Sequence, residues 1–448
     1  MQNLYSKLVI LLSLFFALEC NAAGKLELTQ GVYGGMPIVV TVSGQKNDLD
    51  NKLSTQLSTL VSRNLALTGE LKVINGDSYL PTLDVIADYQ KNGITYVAFA
   101  KLENQSFGSD YNLTLIFYDL MNDKNLDFTR PKKIFKYRFS SSEIEEFGNV
   151  LADDIYESIT NVKGVFSTKL AYVMLKKKYG MKPQYDLKIS NFDGAHTKTI
   201  LTSNEPIMSP SWSHDGKKMA YVSFEENRSA IFIHDIESGS REKISDINGV
   251  NSSPSWSHDD KKLALVLADS GFTKIYEYEI ESKKRRQLTF GNSLDTEPVW
   301  AADDKFLYFT SNRGGRPQIY RYDYPSSNSD RVTFKGDYNA CPDISNDSNY
   351  LTFLHREGGL YFLAMQDLRS GKLKVLSRDE YEESPTFSPN GQIIAYASHY
   401  GGRGVLGFVS LDGMIKWLLP AAGGDIQEPA WSPFISKRSH FILDETTI

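Results

Sequence analysis

One block built around a proline recurs six times in the second half of the chain, and this repeat limits the fold more than any other feature. The six prolines are spaced 44, 44, 44, 43 and 44 residues apart: Pro210, Pro254, Pro298, Pro342, Pro385 and Pro429. A large apolar residue stands two positions after each of them: Trp212, Trp256, Trp300, Ile344, Phe387 and Trp431. A repeat of about 40–45 residues with such an anchor is typical of β-propeller blades.

Each period contains four short β-rich runs separated by turn residues. In the first copy these runs are Pro210–Ser213, Lys218–Phe224, Ala230–Asp235 and Arg241–Ser245. The last copy stops near Pro433 after one run, and three matching runs precede the first copy: Lys169–Leu175, Tyr185–Asn191 and Lys198–Thr202. We therefore predict an all-β six-bladed β-propeller over residues 163–434, whose C-terminal strand closes the ring against N-terminal ones.

Residues 23–162 lack the repeat and predict a smaller α/β domain. Strands are expected at Pro37–Val42, Ile94–Ala100, Asn112–Leu120 and Ile134–Phe139. A helix after Asp48 has an expected apolar face made of Leu49, Leu53, Leu57, Leu60, Val61 and Leu65. A second helix is expected after a capping box formed by Ser140 and Glu143. The fold class is thus an α/β N-terminal domain followed by the propeller, with residues 435–448 as a C-terminal tail of no predicted structure.

The first 22 residues have the features of a secretory signal peptide. Lys7 precedes an apolar run, Leu8–Leu18, and small residues follow, so cleavage is expected after Ala22 or Ala23. The run is shorter than the roughly 20 residues that a membrane-spanning helix needs. A lipoprotein signal at Cys20 is the alternative, although Glu19 stands where that signal has a small residue. We expect an exported protein with no direct membrane insertion.

The sequence offers little for catalysis or for nucleic-acid binding. The formal net charge is −6, with no basic stripe. No nucleophile elbow, zinc-protease motif or phosphate-binding loop occurs. The pairs His214-Asp215 and His258-Asp259 occupy the same turn of successive repeats, and Cys341 stands at a repeat position that otherwise holds Ser or Glu. We predict no enzyme, no cofactor and no metal site, with a secreted propeller enzyme or carbohydrate-binding lectin as the alternative.

Charged residues concentrate in loops that a blade would place at one end of the ring. The loops before each proline are acidic, with Glu205, Asp246, Asp295, Glu297, Asp337, Asp379, Glu380, Glu382, Glu383, Asp425 and Glu428. The loops between the second and third runs reach the same end further out and hold Arg228, Arg313, Arg316, Arg356 and Arg403. We expect a mouth that is acidic at its centre with arginines outside. Three explanations stay open: ordinary polar turns, a recognition face for a partner of complementary charge, or a divalent cation in the channel.

Several segments, both inside and outside the repeat, resemble the TolB family of periplasmic Tol–Pal proteins. These segments are Gly31–Ile38, Gly164–Val173 at the domain junction, Arg228–Ala230, Asn312–Tyr320 and the final Pro429–Pro433. The resemblance extends from the mature N-terminus to about Pro433, and the tail after Phe434 is extra. It implies an adaptor that supports envelope integrity and outer-membrane invagination during cell division.

The same resemblance implies two protein partners and a site for each. The peptidoglycan-associated lipoprotein Pal would dock on the propeller mouth, at Met208, Ser209, Val250, Asn251, Ser253, Thr296 and Glu297. The acidic loops of the mouth add Glu383 and Glu428 to this predicted site. The inner-membrane protein TolA would bind the N-terminal segment, at Lys25, Leu26, Glu27, Leu28, Thr29 and Gly31. That segment, Ala23–Gly34, is expected to be an extended docking peptide, the first strand of the N-terminal domain's own sheet, or both by exchange.

Overall fold

The computed structural model describes residues 27–30, 35–44, 48–76, 82–104, 109–121, 131–177, 179–268, 271–378, 382–420, 423–435 and 438–447. Of Glu27–Gln30 and Leu83 only the backbone is described. The predicted signal peptide, together with Lys25, Leu26, Gly31, Asp379 and Glu380, lies outside these ranges. No helix in them is long and apolar enough to cross a membrane.

The N-terminal domain is a mixed sheet covered by helices, as its apolar periodicity predicted. Its strands are β2 (Met36–Ser43), β3 (Leu71–Asn75), β4 (Tyr96–Asn104), β5 (Asp110–Asp119) and β6 (Lys133–Ser140). Its helices are α1 (Asp48–Leu67), α2 (Leu83–Lys91) and, after a 3-10 turn at Ser141–Glu143, α3 (Ile144–Thr160). Strands β3 and β4 flank β2 in parallel, and β4, β5 and β6 are antiparallel. The capping box at Ser140 is present, whereas Leu49, expected on the buried face of α1, is exposed.

The prediction of six blades is confirmed. Blade 1 contains β10 (Ile207–Trp212), β11 (Lys218–Ser223), β12 (Ala230–Asp235) and β13 (Arg241–Ser245). Blade 2 contains β14 (Val250–Trp256), β15 (Lys262–Ala268), β16 (Lys274–Glu279) and β17 (Arg285–Gln287). Blade 3 contains β18 (Asp295–Trp300), β19 (Phe306–Ser311), β20 (Gln318–Asp323) and β21 (Asn328–Arg331).

The remaining blades follow the same order of strands. Blade 4 contains β22 (Tyr338–Ile344), β23 (Tyr350–Glu357), β24 (Leu360–Asp367) and β25 (Leu373–Ser377). Blade 5 contains β26 (Glu383–Phe387), β27 (Ile393–Tyr400), β28 (Arg403–Ser410) and β29 (Lys416–Leu419). Blade 6 contains β30 (Asp425–Trp431), β7 (Lys169–Lys176), β8 (Gln184–Asn191) and β9 (Lys198–Ser203). The antiparallel pairing of β30 with β7 closes the ring between the two ends of the domain.

Each blade packs on the next through the apolar residue that follows its proline. All six of these residues are buried, Ile344 included. Trp212, for example, lies in a cluster with Val173 of blade 6 and Tyr221 of its own blade. Burying such large side chains between successive sheets provides much of the stability of a ring that has no disulfide.

The two domains share one continuous core. Trp417 and Phe408 of blade 5 belong to the same apolar cluster as Leu65 of α1. At the junction, the carboxylate of Asp153 accepts hydrogen bonds from the backbone N–H groups of Phe166 (2.7 Å) and Ser167 (3.1 Å). The N-terminal domain is therefore joined to the propeller through apolar packing as well as through the chain.

The C-terminal residues, for which the sequence predicted no structure, return to the N-terminal domain. After a short helix α4 (Arg438–Phe441), strand β31 (Ile442–Thr447) pairs antiparallel with β6 at the edge of the sheet. Phe441 is fully buried, and its ring meets Phe147 of α3 edge-on at 5.5 Å. Arg438 Nε donates to Asp154 Oδ1 at 2.6 Å. The tail thus covers an otherwise open edge of the N-terminal sheet.

Candidate functional site

The residue before each proline of the repeat adopts a backbone conformation that is uncommon for residues other than glycine. The φ angles lie between 47° and 55° at Ser209, Ser253, Glu297, Cys341, Ser384 and Glu428. At each of them the first strand shifts its register against the second, as a β-bulge does. Six equivalent bulges therefore form a ring around the propeller axis. Three of these residues are serines, two are glutamates and one is a cysteine. The fold therefore does not require one type of side chain at this position.

All nine residues that the sequence assigned to the lipoprotein site line one cavity. It has a volume of about 970 Å³ and opens along the propeller channel. Met208 and Val250 are the large exposed apolar side chains among the nine, and Glu383 is an exposed carboxylate. The structure thus brings together residues that come from blades 1, 2, 3, 5 and 6.

Asn251 differs from the other eight because its side chain is fully buried. Its Oδ1 accepts from Ser245 Oγ at 2.7 Å, and its Nδ2 donates to the carbonyl oxygens of Ser229 (3.0 Å) and Ile247 (2.9 Å). These bonds hold the loop from blade 1 to blade 2. Buried polar residues occupy the same position, three before the proline, at Asp295, Asn339 and Glu382. Sequence reasoning missed this set, although its recurrence in four copies was a usable signal.

Three carboxylates at the centre of the mouth have no cationic partner in the part of the chain that the structure describes. Among the described residues, no Lys, Arg or His side chain forms an ion pair with Glu297, Glu383 or Glu428. Glu297 accepts hydrogen bonds from Thr310 Oγ1 (2.6 Å) and from the backbone N–H of Cys341 (2.8 Å). Its position is thereby fixed, while the negative charge is left facing the channel.

Burial and neighbouring charge shift the ionisation of two groups in this ring. Burial raises the pKa of Glu428 to about 7, and the nearby charges of Glu383 and Glu297 act in the same direction against a hydrogen bond from the Ser209 backbone. Burial also raises the pKa of the Cys341 thiol well above its usual value, with the charge of Glu297 adding to the effect. The thiol therefore stays protonated, which makes it a poor nucleophile.

The outer part of the mouth contains ion pairs that the sequence did not predict. Most of the outer acidic residues are paired with cations: Asp246 with Arg228, Asp295 with Lys274 and Arg313, Asp337 with Arg316 and Arg356, Asp425 with Lys177, and Glu205 with Lys182. Most of the arginines expected outside the acidic centre are thus bound to outer aspartates, because their long side chains reach the aspartates of the adjacent loop. The negative charge of the mouth is concentrated at Glu297, Glu383 and Glu428, which we call the inner ring.

The two His-Asp pairs lie at the opposite end of the channel and hold adjacent blades together. The carboxylate of Asp260 in blade 2 accepts from the backbone N–H groups of His214 (2.6 Å) and Asp215 (2.8 Å) in blade 1. Asp304 makes the equivalent bond to His258, also at 2.6 Å. Within the described ranges, no group of three or more His, Cys, Asp or Glu residues is placed to hold a metal ion.

The N-terminal segment forms a strand, but on a different sheet from the one expected. Strand β1 (Glu27–Gln30) pairs antiparallel with β29 as a fifth strand of blade 5. The alternative that it begins the N-terminal domain's own sheet is wrong, because that sheet ends with β3 on one side and β31 on the other. The backbone of Glu27, Leu28 and Thr29 is thus placed on the outer edge of the propeller.

Replacing Glu428 with glutamine is expected to remove part of the pH dependence of stability. The pKa of Glu428 rises from 4.5 to about 7 on folding, so the folded state holds a proton that the unfolded chain has lost. In the wild-type protein, the protonated Glu428 makes its full contribution to the free energy of unfolding below pH 4.5. This contribution is lost as the pH rises through about 7. At pH 8 the glutamine variant should be more stable by about 1–2 kcal/mol, and at pH 5 by much less.

Urea unfolding at several pH values measures this difference. Glu281, on an exposed turn at the other end of blade 2, provides the control substitution to glutamine. An unchanged pH profile in the Glu428→Gln protein would show that the carboxyl group is not protonated in the folded state.

Comparison with known proteins gives a consistent result over nearly the whole chain. A family model described as the TolB beta propeller domain matches residues 156–435. The Tol-Pal system protein TolB of Legionella pneumophila strain Philadelphia 1 is 47% identical over 97% of this chain and 100% of its own length. That of Coxiella burnetii strain RSA 493 is 51% identical over 96% and 98%. A crystal structure of TolB from Acinetobacter baumannii superposes with a TM-score of 0.82 at 32% identity, covering 92% of this chain and all of that one.

Proposed function

This chain belongs to the TolB family, and from that premise we propose that it is a periplasmic adaptor of the Tol–Pal system. It binds the peptidoglycan-associated lipoprotein Pal at the propeller mouth and the inner-membrane protein TolA through its N-terminal segment. In this way it supports envelope integrity and outer-membrane invagination during cell division. Residues 1–22 are removed on export, and residues 23–162 and 163–434 are the two functional domains.

The observation that carries the proposal is the mouth cavity. It is about 970 Å³ in volume and is lined by all nine residues that the sequence assigned to the Pal site. Met208 and Val250 offer exposed apolar contacts beside the carboxylates of Glu297 and Glu383. A rigid concave surface that combines apolar groups with uncompensated charge suits a protruding loop of a protein partner, since complementary charge sets both encounter rate and specificity. The role is binding rather than catalysis.

For the N-terminal segment we propose that β1 exchanges between the edge of blade 5 and an exposed sheet edge of TolA. In the closed arrangement β1 pairs with β29 through main-chain bonds at Glu27, Leu28 and Gln30. The same main-chain groups can add a strand to an exposed sheet edge of TolA. These groups cannot bond to β29 and to TolA at the same time, so binding of TolA through them requires release from blade 5.

Changing the charge of the inner ring is expected to weaken Pal binding about tenfold or more at low salt. The variant combines Glu383→Lys with Glu297→Gln. Glutamine is chosen because its carbonyl oxygen can still accept from Cys341, whereas lysine at position 297 would break that bond and the one from Thr310. Calorimetric titration with the soluble domain of Pal at low and moderate salt measures the effect.

The control is Glu281→Lys, which makes the same charge change as Glu383→Lys on an exposed turn at the other end of the propeller. A folded double variant that binds Pal as wild type does at both salt concentrations would exclude the inner ring as the docking site.

A further inference from the structure

Large apolar side chains are exposed on one sector of the propeller's mouth end. Phe290, Leu294, Phe334, Leu360 and Tyr361 have exposed fractions of 69%, 44%, 73%, 65% and 45%. They lie on the connections β17–β18 and β21–β22 and at the start of β24. In an antiparallel blade these connections all reach the mouth end. We call these five residues the aromatic rim.

Contacts between neighbouring loops make the rim one surface. The backbone N–H of Leu294 donates to Asn312 Oδ1 at 2.7 Å. Arg316 and Arg356, from blades 3 and 4, form ion pairs with the same carboxylate, Asp337. These bonds tie the loops that carry Leu294, Phe334 and Tyr361 across blades 2, 3 and 4.

The rim is also continuous with the inner ring of the mouth. Tyr361 packs edge-on against Tyr338, with ring centroids 5.6 Å apart. Burial, followed by the charge of Glu297, raises the pKa of Tyr338 to about 12. Tyr338 therefore lies between the aromatic rim and the inner ring, and a body seated over the mouth would meet both.

Packing within the propeller does not account for the rim. Phe290 and Phe334 stand at the same repeat position, eight residues before the proline, where blade 1 has Asp246. A charged residue therefore serves the fold equally well there. Contiguous exposed apolar surface is uncommon on monomeric proteins and marks interaction sites, which are rich in aromatic residues and arginine.

We propose that the aromatic rim is a second contact surface for the lipoprotein partner. The rim binds an apolar patch, flanked by carboxylates, on the partner's globular domain. This inference rests on the proposed function of the mouth. The charges support the occupant: two guanidinium groups share one aspartate, and Arg331 and Arg356 stack on Phe334 and Tyr361 at 5.2 and 5.5 Å. The rim thus combines apolar side chains with the guanidinium groups of Arg331 and Arg356 beside an anionic channel, an arrangement that fixes the orientation of the partner over blades 2–4.

The double variant Phe290→Ser with Phe334→Ser tests the rim against the soluble domain of the lipoprotein. We expect the dissociation constant to rise about tenfold or more, as for aromatic interface anchors. The loss should be nearly independent of salt, because the contact is apolar. Two controls replace exposed residues outside the rim: Tyr400→Ser, at the mouth end of blade 5, and Met414→Ser, on the opposite end. Thermal unfolding confirms that all variants are folded.

The possible outcomes separate this inference from the proposed function. If wild-type protein does not bind the lipoprotein domain, the function and the rim fail together. If wild-type protein and the rim variant bind with equal affinity, the rim is wrong while the function stands. Sedimentation of the protein alone tests whether the rim instead binds a second copy of this chain. That occupant is assigned if the wild-type protein is a dimer, the rim variant is a monomer and lipoprotein binding is unchanged.

Discussion

Replacing Phe441 with alanine is expected to lower the free energy of unfolding by about 3–5 kcal/mol, the usual cost of removing a buried phenylalanine side chain. Phe441 has no exposed surface and packs edge-on against Phe147. Phe147 in turn stacks on Phe139 at 4.1 Å, so the cavity would open at the centre of the N-terminal core. Against a total stability of about 5–15 kcal/mol this is a large loss.

Urea unfolding measures the effect of Phe441→Ala, and Trp417 in the shared core provides a fluorescence signal from both domains. The matched control is Leu443→Ala in the same segment. Its side chain is 56% exposed, so the change should stay within about 0.5 kcal/mol. Equal stability of the two variants would mean that the C-terminal segment is not docked on the N-terminal domain in solution.

Removing residues 23–34 from the mature protein is expected to abolish TolA binding while Pal binding is kept. The described part of this segment contacts the propeller by pairing with β29, and Glu27, Leu28 and Gln30 are matched there with Leu418, Trp417 and Lys416. Such a short edge pairing contributes little to the stability of a blade that has four other strands. Calorimetry with the soluble domains of both partners, together with thermal unfolding, measures all three properties.

A full-length control separates main-chain from side-chain recognition. Substituting serine for Leu26 and Leu28 keeps the backbone groups that can add a strand to TolA but removes the apolar side chains that would give specificity. We expect this variant to bind TolA more weakly and Pal normally. If the truncated protein unfolds, or loses both partners together, the segment is structural and the docking hypothesis fails.

Much of the propeller could be predicted because its information is local and repeated. In the first copy, β12 and β13 are identical to the expected runs and β11 ends one residue earlier than expected. Strand β10 begins three residues before the expected run. Closure through β7, β8 and β9 followed from counting runs, since a ring of blades needs four strands in each. The missed elements of the N-terminal domain, β3 and α2, are short, and neither repeats.

The candidate site was located from the sequence, but its electrostatics were not. Pro-based periodicity placed Glu297, Glu383 and Glu428 in one ring, and they do line one cavity. The pairing of Asp337 with both Arg316 and Arg356 joins loops of different blades. Side-chain reach across a blade interface cannot be inferred from positions along the repeat, so the sequence alone did not predict these ion pairs.

By itself the sequence determined the number of blades, the way the ring closes and the six loops that surround its mouth, because these depend on short-range patterns that recur every 43 or 44 residues. Only the tertiary structure decided the places of the two terminal strands, β1 on blade 5 and β31 on the N-terminal sheet. The physical reason is that an edge strand is held mainly by main-chain hydrogen bonds, which every residue except proline can make. Its position therefore depends on which sheet edge the rest of the fold leaves open and within reach.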